Sequence, residues 1–531
     1  MVYEREFTAV ARLAFGMWNR DPASPSYGSF DRAWWGWKFK DFPDATLQYA
    51  ARLVVPYAEK QGEGCPLGEW LGAWVRFVAS IQHRDGSLDQ AYPYERTPGV
   101  IFDVLSTFIS IYEGPHLSGP ARKQLGEVIE RAAAFSLATD ERHGEIANHI
   151  AEYAYELAEY ARFSGSMSAA AGANRYLDRL LSLFDREEGW FREYEGADPG
   201  YQTRSLRYVV KLAGLPGYEG LWDVAARAGE FLHEFVMPDG SIHPMLGTRS
   251  TGLLYPSGIE ALAVRHPARF ANLATRVRQG WEHGRVPLPS TLDFANAIRL
   301  ADDAGEASRL MNRELPDVAG PPVGKRSFPR AGLTIWRSAE RHVFVSSYLG
   351  GVVVSFEPTA SGWQLVSEDS GYLLNTAGSA WLTRMPGAGT LVEDDENGLT
   401  IHSRFARVLH DELTPLRMVL LRVLNMTVLR SQWLGDVFRR LVVGRLMSNR
   451  AWLGASLTRR IDLAPGRLKI VDNVESRDKV VGTLHRCRRL TGAHMASARY
   501  FHSSELQSLG EWQISVPWDG HTYRSASRGE S

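Results

Sequence analysis

The sequence predicts a two-part α+β chain, a helical half of stacked hairpins followed by an antiparallel β half. Three observations carry this. Apolar residues recur at the spacing of one helix face through the first 315 residues, a charged-glycine turn repeats along that half, and the period changes to that of strands beyond a Pro/Gly-rich segment. At 531 residues the chain is too long for one ordinary core, so two domains, or a repeat domain plus a second, are expected.

In the first half, Trp70, Trp74, Phe77, Val78 and Ile81 fall on one helix face, as do Leu180, Leu181 and Phe184. The repeating turn reads HRDGSLDQAYPYERTPG around Gly86, ERHGEIANH around Gly144, REEGWFREYEG around Gly189 and MPDGSIHPMLGTRS around Gly240. A helix ends at each charged-Gly turn, and an aromatic or polar loop leads to the next. Intervals of 58, 45 and 51 residues suit one helical hairpin per repeat. Stacked hairpins of this size read as an α/α toroid or solenoid, an incomplete barrel over residues 1–315 with the recurring loops on one rim, where a substrate cleft would form. Residues 316–330 carry Pro316, Pro321, Pro322 and Pro329 with Gly320 and Gly324 and read as a linker. From residue 331 to 531, segments such as LTIWRSAERHVFVSSYLGGVVVSF and GRLKIVDNVES read as antiparallel strands. One stretch interrupts them. Leu413 to Arg460 has leucines at helical spacing and nine arginines against one aspartate, so a basic amphipathic helical insertion is expected at about 413–460. It is read either as a helix packed on its own protein or as an interfacial helix making peripheral contact with anionic lipid.

Composition narrows the class. Hydrophobic residues at 44% and charged residues at 23% suit a soluble globular chain. A formal net charge of -1 gives no global pull toward nucleic acid or acidic polymers, so an anionic partner must meet local arginines. Trp 16, Tyr 20 and Phe 22 form an aromatic set compatible with stacking on sugars. Cys65 and Cys487 alone exclude a disulfide framework and a cysteine-based metal site. No secretory pattern opens the chain and no run of about 18 apolar residues occurs, so a cytoplasmic location is expected, with membrane association only through 413–460. There is no Walker A segment, dinucleotide glycine fingerprint or Gly-x-Ser-x-Gly elbow, so no cofactor and no metal is predicted.

The chemistry gathers between Ala147 and Tyr208, where Asn148-His149 opens an apolar helix and EGWFREYEGADPGYQTRSLRY follows. Removing a proton beside a carboxylate builds charge on its oxygens, and an amide such as Asn148, with His149 beside it, can donate to them without itself losing a proton. Tyr201 and Tyr208 supply phenols. A phenol ionises near pH ~10 in water, so a phenolate base needs cationic neighbours; Arg204, Arg207 and Arg249 are the candidates. Each residue has a plainer reading. Asn148 is an N-cap before a core histidine, Tyr201 staples a helix beginning near Gln202, Tyr208 is core, and Arg249 pairs with an acid such as Glu260. The β half offers His342, His402, His410, His485, His494 and His502 as acid/base groups, and arginines flank His485 and His494.

Asn148-His149 and Asp198-Pro199-Gly200-Tyr201 resemble the corresponding motifs of the heparinase II/III-like polysaccharide lyases, as do GSFDRAWWGWKFKDFPDATLQ, GTRSTGLLYPSGIEAL and the order of helical and β-rich halves. The resemblance implies an α/α toroid joined to a C-terminal β-sandwich. It also implies that Asn148 neutralises a uronate carboxylate and Tyr201 is the catalytic phenol. From the residues themselves, His149 is a further catalytic candidate, and Arg249, Arg204, Tyr208, His485 and His494 are candidates for binding the substrate. The family's His-x-His-x-Asp segment is missing; the corresponding SSYLGGVVVSFEPTASGWQLVSEDSGYL contains no histidine. The expected partner is therefore an acidic, uronate-containing polysaccharide or oligosaccharide, cleaved by C5 proton abstraction and β-elimination. A uronate C5 epimerase, or a non-catalytic binding or assembly protein of exopolysaccharide or O-antigen production, is the alternative.

Overall fold

The computed structural model describes residues 2–62, 65–140, 146–311, 314–408, 414–443, 450–464, 467–477, 480–489, 500, 512–518 and 522–526. Helices occupy the chain up to Leu310, and the long strands begin at Gly324. Consecutive helices pair: Ala147–Ser164 with Met167–Ser182, Pro199–Ala213 with Leu221–Phe235, and Ser257–Arg265 with Pro267–Glu282. The first helix of each pair also packs on the first of the next, and Ser257–Arg265 packs on Phe294–Leu310. Phe294–Leu310 meets the opening helix, Val2–Met17, which brings the two ends of the helical half together in a toroid. Such inner helices need apolar or small residues on more than one stripe, and Pro199–Ala213 accordingly buries residues all round.

The recurring turns are one structural device. Asp85 Oδ1 accepts from the Ser87 N–H and hydroxyl, and Asp239 Oδ1 accepts in the same way from Ser241. Gly86, Gly189 and Gly240 are left-handed, at φ +91°, +82° and +82°. A Cβ there would lie 2.1, 2.4 and 2.1 Å from the carbonyl oxygens of Arg131, Arg227 and Arg276. Each turn thus lies on the backbone of an outer helix further along the chain, which only glycine allows. The turn at Gly144 falls outside the described residues.

The β half is antiparallel throughout. A five-stranded sheet runs in sequence order through Gly324–Phe328, Leu333–Arg337, His342–Ser346, Val352–Thr359 and Gly362–Asp369. The larger, nine-stranded sheet packs on one face of it, where Val343, Val345 and Val353 meet Leu399, Ile401, Ile461 and Ile470. The other face, with Leu333, Ile335, Phe344, Val354 and Phe356, packs on Phe231, Phe235, Met237, Met245 and Leu246 of the helical half. Both faces being covered explains why HVFVS and VVVSF read as unbroken apolar runs instead of alternations. The packing also fixes the rim loop after Gly240 against the β half. Arg384, wholly buried, adds hydrogen bonds from Nη2 to the Met245 and Gly247 carbonyls, 3.0 and 3.1 Å long.

Two expected segments differ. Gly324–Phe328, within the Pro/Gly-rich 316–330 stretch, is an edge strand paired with Leu333–Arg337, because its prolines lie outside the paired residues. Among the described residues of 413–460 the α-helices are Pro415–Met426 and Gln432–Val443, and Trp452–Ala464 is a strand of the larger sheet. Its inward residues Ala455, Leu457, Arg459 and Ile461 do alternate. Arg459 hides the period, since its buried guanidinium is matched by Asp472 at 2.7 and 2.8 Å and by the Gly351 carbonyl at 2.8 Å.

Substituting Gly240→Ala should lower unfolding free energy by roughly 2 kcal/mol or more, through forced φ and the clash with Arg276. Gly16→Ala, in the opening helix with nothing within 4 Å of the new methyl, should be neutral or stabilising by up to about 1 kcal/mol. Denaturant unfolding of the two variants checks both signs.

Candidate active site

Two buried carboxylates organise the rim. Glu193 ends the short strand Trp190–Glu193, which pairs with Phe184–Asp185 on one side and Gly196–Ala197 on the other. Its side chain caps the helix Ala147–Ser164, taking the Asn148 N–H at 2.7 Å on Oε1 and the Asn148 Nδ2 at 2.9 Å on Oε2. An anion at a helix N-terminus is favoured by the exposed N–H groups and the helix dipole. Burial nevertheless pushes the Glu193 carboxyl up to about 7, against the two Asn148 bonds that pull it down. Asn148 is therefore not an N-cap; that position is Ile146, and Asn148 lies inside the first turn. Its side chain is only 1% exposed, and its Oδ1 has no donor among the described residues.

Asp198 is the second. It is the N-cap of Pro199–Ala213, accepting from Tyr201 N–H at 3.0 Å, while its other oxygen takes the Arg249 N–H of the next rim loop at 2.8 Å. The helix begins at Pro199 and not near Gln202, because Asp-Pro supplies the cap and a first-turn proline together. Gly247 is required beside it, since a Cβ there would lie 2.2 Å from Asp198 Oδ2. Tyr201 thus sits in the first helical turn, half-buried, and the Arg249 guanidinium lies 5.7 Å from its ring centroid. Arg249 also covers the ring of Tyr194 at 4.5 Å, and Tyr194 takes a left-handed φ of +57° in the loop between the two carboxylates. Burial works against the Arg249 charge, but Tyr201, Tyr194 and Glu193 around it raise its pKa above the ordinary value. Asn148, Tyr201 and Arg249 are so joined into one cluster through Glu193 and Asp198.

The other residues singled out in the sequence go elsewhere. Arg204 pairs with Glu152 at 2.8 Å, and Tyr208, buried, donates to the other Glu152 oxygen at 2.6 Å. Burial, with Glu152 next, raises the Tyr208 phenol well above its usual range, and its ring lies in the core. Tyr255 lies within electrostatic reach of both Arg204 and Tyr201. Arg207 is buried on Asp302 and Asp303 at 2.5 and 3.1 Å. Glu260, offered as a partner for Arg249, is taken by Arg278 at 2.5 Å. His149, half-buried, has its ring 6.1 Å from that of Tyr153 and lies near the Asp103–Arg299 pair.

From the β half, His485 stands at hydrogen-bond distance, 3.3 Å, from Asn375 on the neighbouring strand, and His342 lies 4.0 Å from the Trp363 ring. His402 is 3.3 Å from Thr458. His410, His494 and His502 fall outside the described residues. The segment lacking histidine contributes other groups. Tyr348 donates to the Glu195 carbonyl at 2.7 Å, beside the carboxylate loop, and Arg450 pairs with the Glu195 side chain. Glu368 is met by a histidine from the helical half, His243, 2.7 Å away at Nε2, and by Arg489. Burial lowers the His243 pKa, while Glu368, although buried, is held below the ordinary carboxylate value by His243 and Arg489. Sequence reasoning missed Glu193, Tyr194 and His243. Only Glu193 left a signal, an acid at the inward register of WFRE.

No protein-family model and no curated protein matches the sequence. The fold is similar to the solved structures of Streptomyces coelicolor A3 chondroitin AC lyase in complex with chondroitin sulphate and of Paenibacillus xanthan lyase. Each has a TM-score of 0.51 at 11% identity over 91% of this chain. The chain spans 68% of the first and 46% of the second, less than half of the xanthan lyase being covered. The likeness is one of fold, a helical toroid with an antiparallel β half that polysaccharide lyases also have.

Glu193 gives a pH signature. Its folded pKa is raised, so the folded state holds the proton more tightly than the unfolded chain. That stability is present below the unfolded value near 4.5 and lost as pH rises through about 7. Glu193→Gln should flatten its share of the fall, on the order of 3 kcal/mol, in unfolding free energy measured from pH ~4 to ~8. An unchanged pH profile would contradict the burial assigned to this carboxyl.

Proposed function

We propose that this protein acts on a uronate-containing polysaccharide by C5 proton abstraction and β-elimination. The observation that carries the reading is the linking of a half-buried phenol, Tyr201, a guanidinium, Arg249, and an amide, Asn148, on two helix starts and a rim loop tied by Glu193 and Asp198. Likeness of fold to chondroitin AC and xanthan lyases supports it. In this reading Tyr201, as phenolate beside the Arg249 charge, takes the C5 proton. Charge builds on the uronate carboxylate, to which the second Nδ2 hydrogen of Asn148 donates. The C4–O4 bond then breaks as the C4–C5 double bond forms, and the Tyr201 phenol returns its proton to the departing O4.

A second reading, saccharide binding without turnover, is favoured by one feature: the Asn148 side chain is almost wholly covered and its amide is already bonded to Glu193.

Incubation with a panel of acidic polysaccharides, read by the absorbance of unsaturated uronate and by product mass, separates the two. The lyase reading expects new unsaturated ends, and a Tyr201→Phe variant of unchanged melting temperature that is slower by ~10²-fold or more. Binding with no unsaturated product on any polymer leaves the non-catalytic reading; deuterium entering C5 without chain shortening points to epimerisation.

A further inference from the structure

The insertion in the β half leaves an apolar surface uncovered. Its first helix, Pro415–Met426, has no buried residue at all, although it carries four leucines or valines at i, i+3, i+4 and i+7. These are Leu416, Val419, Leu420 and Val423, 79%, 60%, 57% and 53% exposed. In and beside the second helix, Gln432–Val443, Val428, Trp433 and Leu441 are exposed as well. Half of the large apolar side chains exposed among the described residues lie in this short stretch. Soluble chains seldom expose such a concentration without a partner for it.

The other side of the hairpin is held to the helical half by polar contacts. Arg422 pairs with Asp41 at 2.6 Å, Asn425 donates to the Pro93 carbonyl, and the Arg430 guanidinium covers the Tyr94 ring at 4.1 Å. The apolar stripe is therefore turned outward by how the hairpin is anchored. Charge then selects its partner. Asp436, the only acid in the two helices, is neutralised by Arg439 at 2.6 Å, while Arg440 is exposed beside the apolar residues. A second copy docking through the same patch would set arginine against arginine. An anionic bilayer offers hydrocarbon for the stripe and lipid phosphates for the guanidinium groups, with Trp433 suited to the boundary between them. No described helix is long and apolar enough to cross a membrane, so the contact would be with the surface.

We propose that residues 415–443, the two helices and the turn between them, are a docking surface for an anionic lipid bilayer, independent of the reaction proposed above. Flotation of the full chain with phosphatidylcholine vesicles, with and without phosphatidylglycerol, tests it. Recovery should require phosphatidylglycerol and fall several-fold at high salt. It should be lost in a Leu416→Asp, Leu420→Asp double variant of unchanged circular dichroism and melting temperature. Arg440→Glu should weaken it with the stripe intact. Flotation with neither vesicle, or equally with both, overturns the proposal, as does a concentration-dependent dimer that the double variant dissolves in the absence of flotation.

Discussion

A carboxylate can be taken out of water only if donors are brought to it, and the rim of this toroid is arranged around that requirement. Glu193 and Asp198 are five residues apart, both almost wholly buried, and each reaches a different loop. Glu193 takes the start of the Ala147–Ser164 helix, and Asp198 takes the start of Pro199–Ala213 together with Arg249 from the loop beyond Gly240. Asn148, Tyr201 and Arg249 come from distant parts of the sequence, and these two side chains bring them together. The donors are mostly backbone N–H groups, two of them at helix starts, so the positions depend on backbone and not on long side chains that lose entropy on ordering. The Arg249 guanidinium lies over two aromatic rings of the cluster, those of Tyr194 and Tyr201.

The β half has a second constraining role. Its five-stranded sheet is the middle layer of the molecule, with the larger sheet on one face and the rim side of the toroid on the other. The loop from Met237 to Gly247 is held there by Met245 and Leu246 in the shared core, by Arg384 on its carbonyls and by His243 on Glu368. Tyr348 and Arg450 hold Glu195 in the same way from the opposite side. Where the sequence motif would have supplied histidines from the β half, this chain uses a phenol, a carboxylate and arginines to join its halves. Tyr348, Glu368, Arg384 and Arg450 each bond to the helical half, which makes them supports of the rim loops.

Much of the fold was legible because it rests on local rules. The Asp-Gly-Ser turns are written in the sequence and bond alike, the change of period marks the passage from helix to strand, and Asp198-Pro199 announces a capped helix. The errors arise where a tertiary partner overrides the local pattern. Arg459 interrupts an otherwise alternating strand because Asp472, across the pair, matches its charge. Arg204 stands three residues after Tyr201 yet is drawn to Glu152 on the adjacent helix. Glu193 reads as one acid among several in REEGWFREYEG, and nothing in its spacing says that Asn148 is its partner. Tyr194 escapes for another reason, since a non-glycine residue at φ +57° is not expected from its type.

The claim on which the account turns is that the loops tied by Glu193 and Asp198 form one saccharide site. A crystal structure of the Tyr201→Phe protein soaked with an acidic oligosaccharide that the wild type binds is the most direct measurement. The account predicts a uronate carboxylate within hydrogen-bond distance of Asn148 Nδ2, its C5 facing the ring at position 201 and Arg249 alongside. Density for the saccharide on another face of the toroid, with Asn148 and Arg249 untouched, would contradict it.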